Sequence, residues 1–404
     1  MHILMIAPEP FFEPRGTPFS EYHRIRALAE LGHTVDLVTY PFGHTVTLPG
    51  MRVFRCLRPP FVDGVKIGPS VAKLPLDAML TLTALRRAMS DRYDAVHSHE
   101  EGGLIGVLLA GLLRVPHLYD MHSSLPQQLS NFAFTRSGLV TRVFEWVERL
   151  MIRRSRVVIV ICPTLEETAR EIDPQANIVM IENAPGSVEG SATPEQAAAV
   201  RATHALAPTT PVILYTGTFE AYQGLDLLFQ SMALVKAKRP DVRLLLAGGK
   251  APQVVKARAE AQAAGAGDVT LFAGERPASE IPAYLEACDV LVSPRSRGTN
   301  TPLKIYQYLR SGKPIVATRL LTHTQVLSDE TSILTGASAS EFAAGILTAL
   351  DEPARAQAVG RQARELAETK YSYDAYLERT RRAYAGMTSA ESPVRAVADG
   401  KDAA

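Results

Sequence analysis

The polar segment between residues 294 and 304 carries residue types that bind a diphosphate. It lies between a predicted strand over 290–294 and a predicted helix over 303–311, so its hydroxyl and amide groups meet a helix N-terminus. Arg295, Arg297 and Lys304 can converge on the same point. A helix dipole, backbone amides and cations together form a cradle for phosphate oxygens. A solvated basic surface is the alternative interpretation of the same residues.

A second candidate ligand loop follows the first predicted strand, over 2–7. Gly16 and Thr17 stand there directly before a helix that has Pro18 in its first turn. The amides and dipole of that helix start suit an anionic or hydroxyl-rich ligand, although an ordinary tight turn explains the residues as well. No G-x-G-x-x-G or P-loop motif follows a predicted strand, which disfavours nicotinamide and P-loop nucleotide sites.

The elements that must position these loops alternate along the chain. Short β-rich runs are followed by amphipathic helical runs, a pattern that predicts an α/β fold with parallel sheets covered by helices. In the first half the predicted strands cover 2–7, 34–40, 52–56, 94–98, 117–121, 157–162 and 177–181. After a Gly-, Pro- and Ser-rich segment, strands are predicted over 211–216, 242–247, 269–274, 290–294, 314–318 and 332–335. Two such units leave a cleft between them, with ligand loops at the carboxyl ends of the strands.

Composition excludes several classes of protein. The chain has 404 residues, 43 Lys and Arg against 42 Asp and Glu, and a hydrophobic fraction of 46%. These values exclude a disordered chain and the overall basic field of a nucleic-acid coat protein, so we expect no nucleic-acid partner. The charge is nevertheless uneven, because the stretch 290–328 holds six basic residues and no acidic one.

The cysteines and the N-terminus indicate a reducing compartment. Cys56, Cys162 and Cys288 are isolated, which argues against a disulfide framework and against a thiolate zinc site. The apolar start of the chain lacks a basic region and meets two prolines, so it predicts a buried strand and not a signal peptide. No apolar run approaches the ~18 residues of a membrane span. We therefore expect a cytoplasmic protein.

Eight motifs, in their order and spacing, resemble the nucleotide-sugar-dependent group-1 glycosyltransferases (family 4), which are retaining enzymes of the GT-B fold. The motifs are residues 15–17, 31–35, 94–99, 119–122, 215–228, 246–249, 272–276 and 302–314. The resemblance extends from Met1 to about Tyr384. It implies two Rossmann-like, doubly wound domains that face each other across a cleft, the first binding the acceptor and the second the nucleotide sugar. The expected boundaries are an N-terminal domain over 1–183, a linker over 184–205, a C-terminal domain over 206–370, a helix over 371–387 that returns to the first domain, and a flexible tail over 388–404.

The resemblance also implies roles for individual residues. His122, at the end of a predicted strand, is expected near the donor sugar as the catalytic residue, with an ordinary core histidine as the alternative. The backbone amides of Leu303 and Lys304 would hold phosphate oxygens, and the loop that contains Arg276 would read the base. The full set of expected donor-binding residues is Gly16, Thr17, Gly217, Thr218, Gln223, Gly249, Arg276, Arg295, Arg297, Thr299, Asn300, Thr301, Leu303, Lys304 and Gln307.

Four positions depart from the family pattern. Thr299 and Gln307 stand where two glutamates are usual, and Thr218 and Gln223 stand where an arginine and a lysine usually approach the diphosphate. Gln307 can still hydrogen-bond a ribose diol, without the charge assistance of a carboxylate. We infer that the three cations of the segment 294–304 take over the lost charge. The competing inference is that the domain has lost catalysis.

The activity implied by the resemblance is that of a hexosyltransferase. A sugar would pass from a UDP-, GDP- or ADP-linked donor to an acceptor hydroxyl with retention of configuration, in glycan, glycolipid or glycoconjugate biosynthesis. Because no Asp-x-Asp motif is present, no metal and no other cofactor is implied, and the cationic cradle would stabilise the leaving diphosphate. Two alternatives stay open: a non-catalytic GT-B nucleotide-binding module, and a nucleotide-sugar epimerase, which would need no acceptor.

The segment 136–156 combines apolar and basic side chains. It contains six arginines and two glutamates, interleaved with apolar residues that include Phe144 and Trp146. This pattern is typical of a helix that lies on an anionic membrane surface, although packing on the sheet with solvated arginines explains it too. Peripheral contact with the inner face of the membrane, and a lipid-linked acceptor, are therefore options for this chain.

Overall fold

The computed structural model describes residues 1–12, 16–65, 70, 73–131, 137–182, 192–298 and 300–388. The first half forms one parallel sheet of seven strands in the order β3-β2-β1-β4-β5-β6-β7. The strands are β1 (His2–Ala7), β2 (Thr34–Thr39), β3 (Met51–Arg55), β4 (Ala95–His99), β5 (His117–Met121), β6 (Val157–Val160) and β7 (Ile178–Met180). All seven lie where the sequence predicts them, with ends that differ by one or two residues.

Six helices of the first domain connect these strands. They are α1 (Gly16–Glu30), α2 (Lys73–Ser90), α3 (Gly102–Leu113), α4 (Leu125–Asn131), α5 (Gly138–Arg154) and α6 (Pro163–Ile172). The strand order reverses between β1 and β4, where Ile3 pairs with Val35 on one side and with Ala95 on the other. Loops at such a switch point, beyond the carboxyl ends of the strands, are where open α/β sheets bind ligands.

The second domain repeats the plan with six parallel strands in the order β10-β9-β8-β11-β12-β13. The strands are β8 (Val212–Thr216), β9 (Arg243–Ala247), β10 (Thr270–Gly274), β11 (Val290–Ser293), β12 (Ile315–Thr318) and β13 (Ile333–Thr335). The helices are α7 (Pro194–Thr203), α8 (Leu225–Lys238), α9 (Ala251–Ala263), α10 (Ile281–Glu286), α11 (Lys304–Ser311), α12 (Leu321–Thr324), α13 (Ala339–Asp351) and α14 (Pro353–Thr369). Both domains are therefore Rossmann-like, as predicted.

The segment predicted as a linker contains a helix. Thr193 and Gln196 form a capping box at the start of α7. Near its end, Arg201 donates Nη1 to the backbone carbonyl of Ala287, after α10, over 3.0 Å. The second part of the predicted linker thus packs on the second domain, while residues 183–191 lie outside the described part of the chain.

The last helix, α15 (Tyr373–Thr388), packs on the first domain. Tyr376, Ala383, Tyr384 and Met387 join the apolar core that contains Ile3 and other residues of β1, α1 and β2. The chain therefore crosses back from its second domain, and this helix covers part of the first sheet.

Polar residues interrupt two of the inner strands of the first sheet, β4 and β5. Strands covered by helices on both faces are expected to be apolar throughout, and β6 is, as is β1 after its first residue, His2. In β4 and β5, by contrast, His97, His99 and Asp120 are completely buried. Buried polar groups cost free energy unless they are paired, so these three residues mark a site with a function of its own.

Candidate active site

Loops that follow the central strands of the two sheets meet across the cleft. Asn300, in the loop after β11, donates Nδ2 to the backbone carbonyl of His122, directly after β5, over 2.9 Å. Elsewhere at this contact, Thr164 donates its amide and its hydroxyl to Oε1 of Gln325, over 3.2 and 2.9 Å. The loop predicted to bind the donor and the residue predicted to be catalytic are thus in direct contact.

His122 is buried within a network of ionisable side chains. Its Nε2 lies 3.2 Å from Oδ1 of Asp120 and 3.3 Å from Nδ1 of His99. Burial by itself lowers the pKa of His122, but the carboxyl groups of Asp120, Glu100 and Glu9 together act against burial, Asp120 most strongly, and the pKa is raised from its ordinary value. Asp120 therefore stabilises the protonated imidazole of His122.

Asp120 stays ionised although it is completely buried. Burial raises the pKa of its carboxyl, but Arg24 and His122 hold that pKa well below its usual range. Arg24, on α1, donates Nε to Oδ2 of Asp120 over 3.1 Å and Nη1 to the hydroxyl of Thr380, on α15, over 3.2 Å. The Arg24 guanidinium also lies over the ring of Tyr376, 5.1 Å from its centroid. Through Arg24, the last helix thus helps to hold the Asp120 carboxylate, which stabilises the protonated form of His122.

His97, His99 and Asp120 bring metal-ligand atom types within 4.8 Å of one another. Protein groups already engage these atoms: His97 Nδ1 lies 2.5 Å from the hydroxyl of Tyr384, and Asp120 accepts from Arg24. A guanidinium beside the carboxylate would repel a divalent cation. We therefore interpret the cluster as an ion-pair network around His122.

Lys304, at the start of α11, is a buried cation of the second domain. Its Nζ lies 3.7 Å from the centroid of the Tyr215 ring and 3.5 Å from Oε1 of Gln223, and no carboxylate among the described residues pairs with it. Burial holds the pKa of Lys304 well below its ordinary value, and the nearby Arg295 lowers it further. A desolvated ammonium that lies near a second cation and has no carboxylate partner among the described residues favours an anionic ligand, because the ligand would stabilise its charged form.

Arg295 braces the loop that contains Asn300. Its Nη1 donates to the backbone carbonyl of Asn300 over 2.7 Å and to the hydroxyl of Thr322 over 2.9 Å. Its guanidinium lies over the ring of Tyr222, 4.9 Å from the centroid. Arg297, by contrast, is exposed. Of the three cations predicted for this loop, Lys304 is thus the buried one, and its nearest described polar partner is the neutral amide of Gln223.

The other basic residues of the acid-free stretch 290–328 lie away from this loop. Arg310 donates to the carbonyl of Tyr371 over 3.2 Å. Lys313 lies 4.0 Å from a carboxylate oxygen of Glu286, and Arg319 forms an ion pair with Asp329 at 2.6 Å. The stretch as a whole therefore does not form one anion site, because acidic residues outside it pair with part of its charge.

The predicted glycines at the ends of β8 and β9 allow two loops to touch. A Cβ atom at Gly248 (φ +136°) would lie 1.9 Å from the carbonyl oxygen of Gly217 (φ +130°), and one at Gly249 (φ +76°) would lie 2.5 Å from the ring of Phe219. Only glycine combines these positive φ angles with such close approach. Gly217 and Gly249 are thus brought together at the carboxyl edge of the second sheet.

Two other predicted donor residues contact their own loops. The carbonyl of Thr218 accepts from the hydroxyl of Tyr215 over 2.7 Å. Arg276 donates Nε and Nη2 to the carbonyl of Ala273 over 3.0 and 2.6 Å, so its side chain folds against the end of β10.

The remaining predicted residues occupy two helix starts. Gly16 and Thr17 are the first residues of α1, and Leu303 directly precedes α11. Thr301 is buried, and Gln307 is exposed on α11. Thr299, one of the two positions where the family has glutamate, lies outside the described residues.

The sequence analysis assigned no role to Arg24, Asp120 or Tyr215. Alternation along a strand does place Asp120 and His122 on the same side of the first sheet, so that pair could have been found. Nothing in the sequence indicates that Arg24 contacts Asp120, because 96 residues separate them.

Comparison with known families assigns this architecture. The family described as "Glycosyl transferase 4-like domain" matches residues 22–184, and "Glycosyl transferases group 1" matches residues 197–366. The chain is a group-1 (family 4) glycosyltransferase. The two matches fall on the two Rossmann-like domains of the structure.

Similar proteins are also glycosyltransferases. The D-inositol 3-phosphate glycosyltransferase of Pseudarthrobacter chlorophenolicus is 28% identical over 69% of this chain and 67% of its own length. The 2-deoxystreptamine N-acetyl-D-glucosaminyltransferase of Streptomyces fradiae is 28% identical over 62% of this chain and 63% of its own length. These matches support sugar transfer as the activity of this glycosyltransferase.

Solved GT-B structures share the fold of this glycosyltransferase. Sucrose-phosphate synthase from Thermosynechococcus elongatus superposes with a TM-score of 0.74 at 21% identity, over 95% of this chain and 98% of that one. Anabaena Alr3699/HepE in complex with UDP-glucose superposes with a TM-score of 0.73 at 17% identity, over 95% and 99%. No helix in the described part of this glycosyltransferase is long and apolar enough to cross a membrane.

Proposed function

We propose that this glycosyltransferase uses a nucleoside diphosphate sugar as donor and transfers the sugar to an acceptor hydroxyl with retention, without a metal ion. The observation that carries the proposal is the buried ammonium of Lys304, which has no carboxylate partner in the described structure and stands at the start of α11. The amides of Leu303 and Lys304 at this helix start would offer donors to the same anion as the Lys304 ammonium, whereas the amides of Ile305 and Tyr306 already donate to the carbonyls of Pro302 and Leu303.

The position of Lys304 supports the idea that positive charge has moved within the site. Gln223 stands where the resemblance places a lysine, and its Oε1 lies 3.5 Å from Lys304 Nζ. Lys304 therefore brings an ammonium to the position of the missing lysine from a different element. This geometry argues for a rebuilt diphosphate site and against a domain that has lost its ligand.

His122 and Lys304 have different tasks in this mechanism. Negative charge grows on the diphosphate as the glycosidic bond lengthens, and Lys304 with the α11 amides stabilises that charge. His122, whose protonated form Asp120 stabilises, would orient the donor sugar from the opposite wall. The leaving phosphate would help to deprotonate the acceptor hydroxyl. The contact between Asn300 and the His122 carbonyl keeps the two walls together, which excludes water from the reacting atoms.

A thermal-shift panel of UDP-, GDP- and ADP-sugars tests the donor site before the acceptor is known. We expect one nucleotide family to raise the Tm of the wild-type enzyme, and Lys304→Met to abolish the shift. Lys313→Met is the matched control, because Lys313 is a lysine just beyond the other end of α11 and lies 4.0 Å from a carboxylate oxygen of Glu286. The proposal fails if no nucleotide sugar binds, or if Lys304→Met binds as well as the control.

Transfer and its stereochemistry need a second assay. Once the donor is known, the products formed with a panel of acceptors can be examined by NMR for the anomeric configuration, with and without EDTA. A retained configuration that is insensitive to EDTA is expected. An inverted product, or activity that returns only with a divalent ion, would contradict the mechanism, and conversion of the donor without any acceptor would favour an epimerase.

We also propose that α5 contacts the anionic inner surface of a membrane. Leu139, Val143 and Trp146 follow one another at helical spacing and are 73%, 49% and 59% exposed. Arg142 and Arg149 are exposed on the same side, three residues after Leu139 and Trp146. Exposed apolar and basic side chains on one helix face are suited to insertion among acidic lipid headgroups.

Co-sedimentation with vesicles tests this contact. We expect the enzyme to bind vesicles that contain phosphatidylglycerol, to bind pure phosphatidylcholine poorly, and to lose binding on Trp146→Glu. Val255→Glu is the control, because Val255 is 71% exposed on α9 of the other domain. Equal binding by both variants, or no binding to acidic vesicles, would refute the proposal.

A further inference from the structure

Three glutamates lie beside His122 and belong to none of the ion pairs described above: Glu21 and Glu100 are buried, and Glu9 is partly buried. Glu9 follows β1, Glu21 lies on α1, and Glu100 follows β4. All three thus come from the elements at the switch point of the first sheet. The charge of Glu9 acts on His122 and on Glu21, and that of Glu100 acts on both as well, so the three carboxyls and the imidazole form one cluster.

The described cations of this region are already engaged elsewhere. Arg24 and His122 both contact Asp120. Lys73 forms an ion pair with Glu101 at 2.6 Å. Among the described residues of this wall, the carboxyls that form no ion pair are therefore Glu9, Glu21 and Glu100.

Three of the four carboxyl oxygens of Glu9 and Glu21 receive no hydrogen bond from the described protein. Glu21 is completely buried, and neither of its carboxyl oxygens receives a donor there; Oε1 of Glu9 is in the same condition. The two carboxyls contact each other, and burial raises the pKa of both, that of Glu21 most strongly. Glu100, by contrast, accepts from Ser123 over 2.7 Å and from Gln128 over 3.0 Å.

We propose that Glu9 and Glu21, with Glu100 beside them, form the acceptor subsite and select an acceptor that carries a protonated amine. The proposal rests on the proposed function, because it names the acceptor class of that site. An ammonium supplies both what the cluster lacks, hydrogen-bond donors and positive charge. A neutral hydroxyl supplies donors only, and a phosphate group on this part of the acceptor would be repelled.

The position of the cluster suits this role. The amine would anchor the acceptor in the first domain beside His122, opposite Lys304, and a hydroxyl elsewhere on the acceptor would receive the sugar. The first wall would thus bind the cationic substrate and the second wall the anionic one. Binding of the amine would ionise Glu9 and Glu21, which the buried pair alone does not favour.

Binding of three related sugars tests the proposal directly. Glucosamine, glucose and glucose 6-phosphate have the same ring and differ in charge, and their dissociation constants can be measured by NMR titration at pH 6.5. We expect glucosamine to bind at least tenfold more tightly than glucose, and glucose 6-phosphate to bind more weakly than either. In the variant Glu9→Gln/Glu21→Gln the preference for glucosamine should disappear, whereas Glu145→Gln, an exposed residue of α5, should preserve it.

Stability and nucleotide binding separate the possible results. We expect Glu9→Gln/Glu21→Gln to have a Tm equal to or above that of the wild type, and to bind the nucleotide found in the thermal-shift panel with an affinity within twofold of the wild type. Equal binding of glucosamine and glucose, tight binding of glucose 6-phosphate, or an unchanged preference in the double variant would overturn the proposal. Because the sugars are titrated without nucleotide, absence of nucleotide binding would refute the donor proposal and leave the amine preference to be judged by the titration alone.

Discussion

The two walls of the cleft carry ionisable groups of opposite sign that form no ion pairs with the described protein. On the second domain, Lys304 is a buried cation with an aromatic ring and an amide as its neighbours. On the first domain, both carboxyl oxygens of Glu21 and one oxygen of Glu9 accept no hydrogen bond from the described residues. Asp120 shows what a balanced group looks like, because Arg24 and His122 neutralise it. The comparison shows that burial of a charged side chain does not by itself indicate ligand binding. A buried ionisable side chain without an ion-pair partner is the better candidate for contact with a ligand.

The largest expected effect distinguishes the balanced carboxylate from an unbalanced one. Asp120→Asn leaves Arg24 and His122 buried without their counter-charge, so the free energy of unfolding should fall by about 3 kcal/mol. Glu21→Gln removes a buried carboxyl without leaving a cation unpaired, so it should preserve or raise stability. Urea unfolding at pH 7 measures both, and effects of the same sign and size would break the comparison.

The second prediction concerns the cation of the other wall. Lys304→Met should weaken binding of the nucleoside diphosphate by about 100-fold, since hydrogen bonds to a charged group contribute about 1.5–3 kcal/mol. Lys304→Met/Gln223→Lys should regain most of that affinity, because the two side chains are in contact. Isothermal titration calorimetry provides the measurement. If the double variant binds no better than Lys304→Met, the charge has not simply moved between the two positions.

The third prediction follows the pKa of Glu100, which burial raises to about 8 from an ordinary value of 4.5. Between these values the folded protein binds a proton that the unfolded chain releases, so stability from this group is lost as pH rises through that window. Glu100→Gln cannot titrate and should make the decline of Tm between pH 5 and pH 8 shallower, by an amount equivalent to about 3 kcal/mol. Identical Tm profiles for the wild type and the variant would contradict this assignment.

The smallest predicted effect concerns the contact that joins the walls. Asn300→Ala removes the hydrogen bond to the His122 carbonyl and should lower kcat by about three- to tenfold, as expected for one hydrogen bond of about 1 kcal/mol. Gln325→Ala removes the separate contact with Thr164 and serves as the control. Transferase assays should show a lower kcat for the first variant than for the second; equal kcat values would mean that the Asn300 contact has no special part in turnover.

Much of the fold could be predicted because it depends on local patterns. The strands were located to within one or two residues by their apolar runs, and α11 begins at Lys304, one residue after its predicted start, and ends at Ser311 as predicted. No helix was predicted within the segment 184–205, where α7 has its own capping box. A helix as short as α7 gives a weak signal in the sequence. Its packing on α10, a tertiary contact, makes it part of the second domain.

The site was predictable in its parts and not in its pairings. His122 and Lys304 could be selected because each stands where a strand ends or a helix begins. Sequence proximity indicated that Arg295 lies near Lys304, but it does not show that Arg295 donates hydrogen bonds to the Asn300 carbonyl and to Thr322. The support of Asp120 by Arg24, and of Arg24 by Thr380, joins residues 96 and 356 positions apart.

The sequence by itself determined the two α/β units, the loops that carry the chemistry and the family to which the chain is similar, because these depend on periodicity and on residue types at short spacing. Its nearly neutral total of 43 basic and 42 acidic residues concealed the charges of the site. Only the tertiary structure decided which charges are neutralised and which are left for a ligand. The physical reason is that the free energy of a buried charge depends on its neighbours in space, and the neighbours of Asp120, Lys304 and Glu21 come from distant parts of the chain.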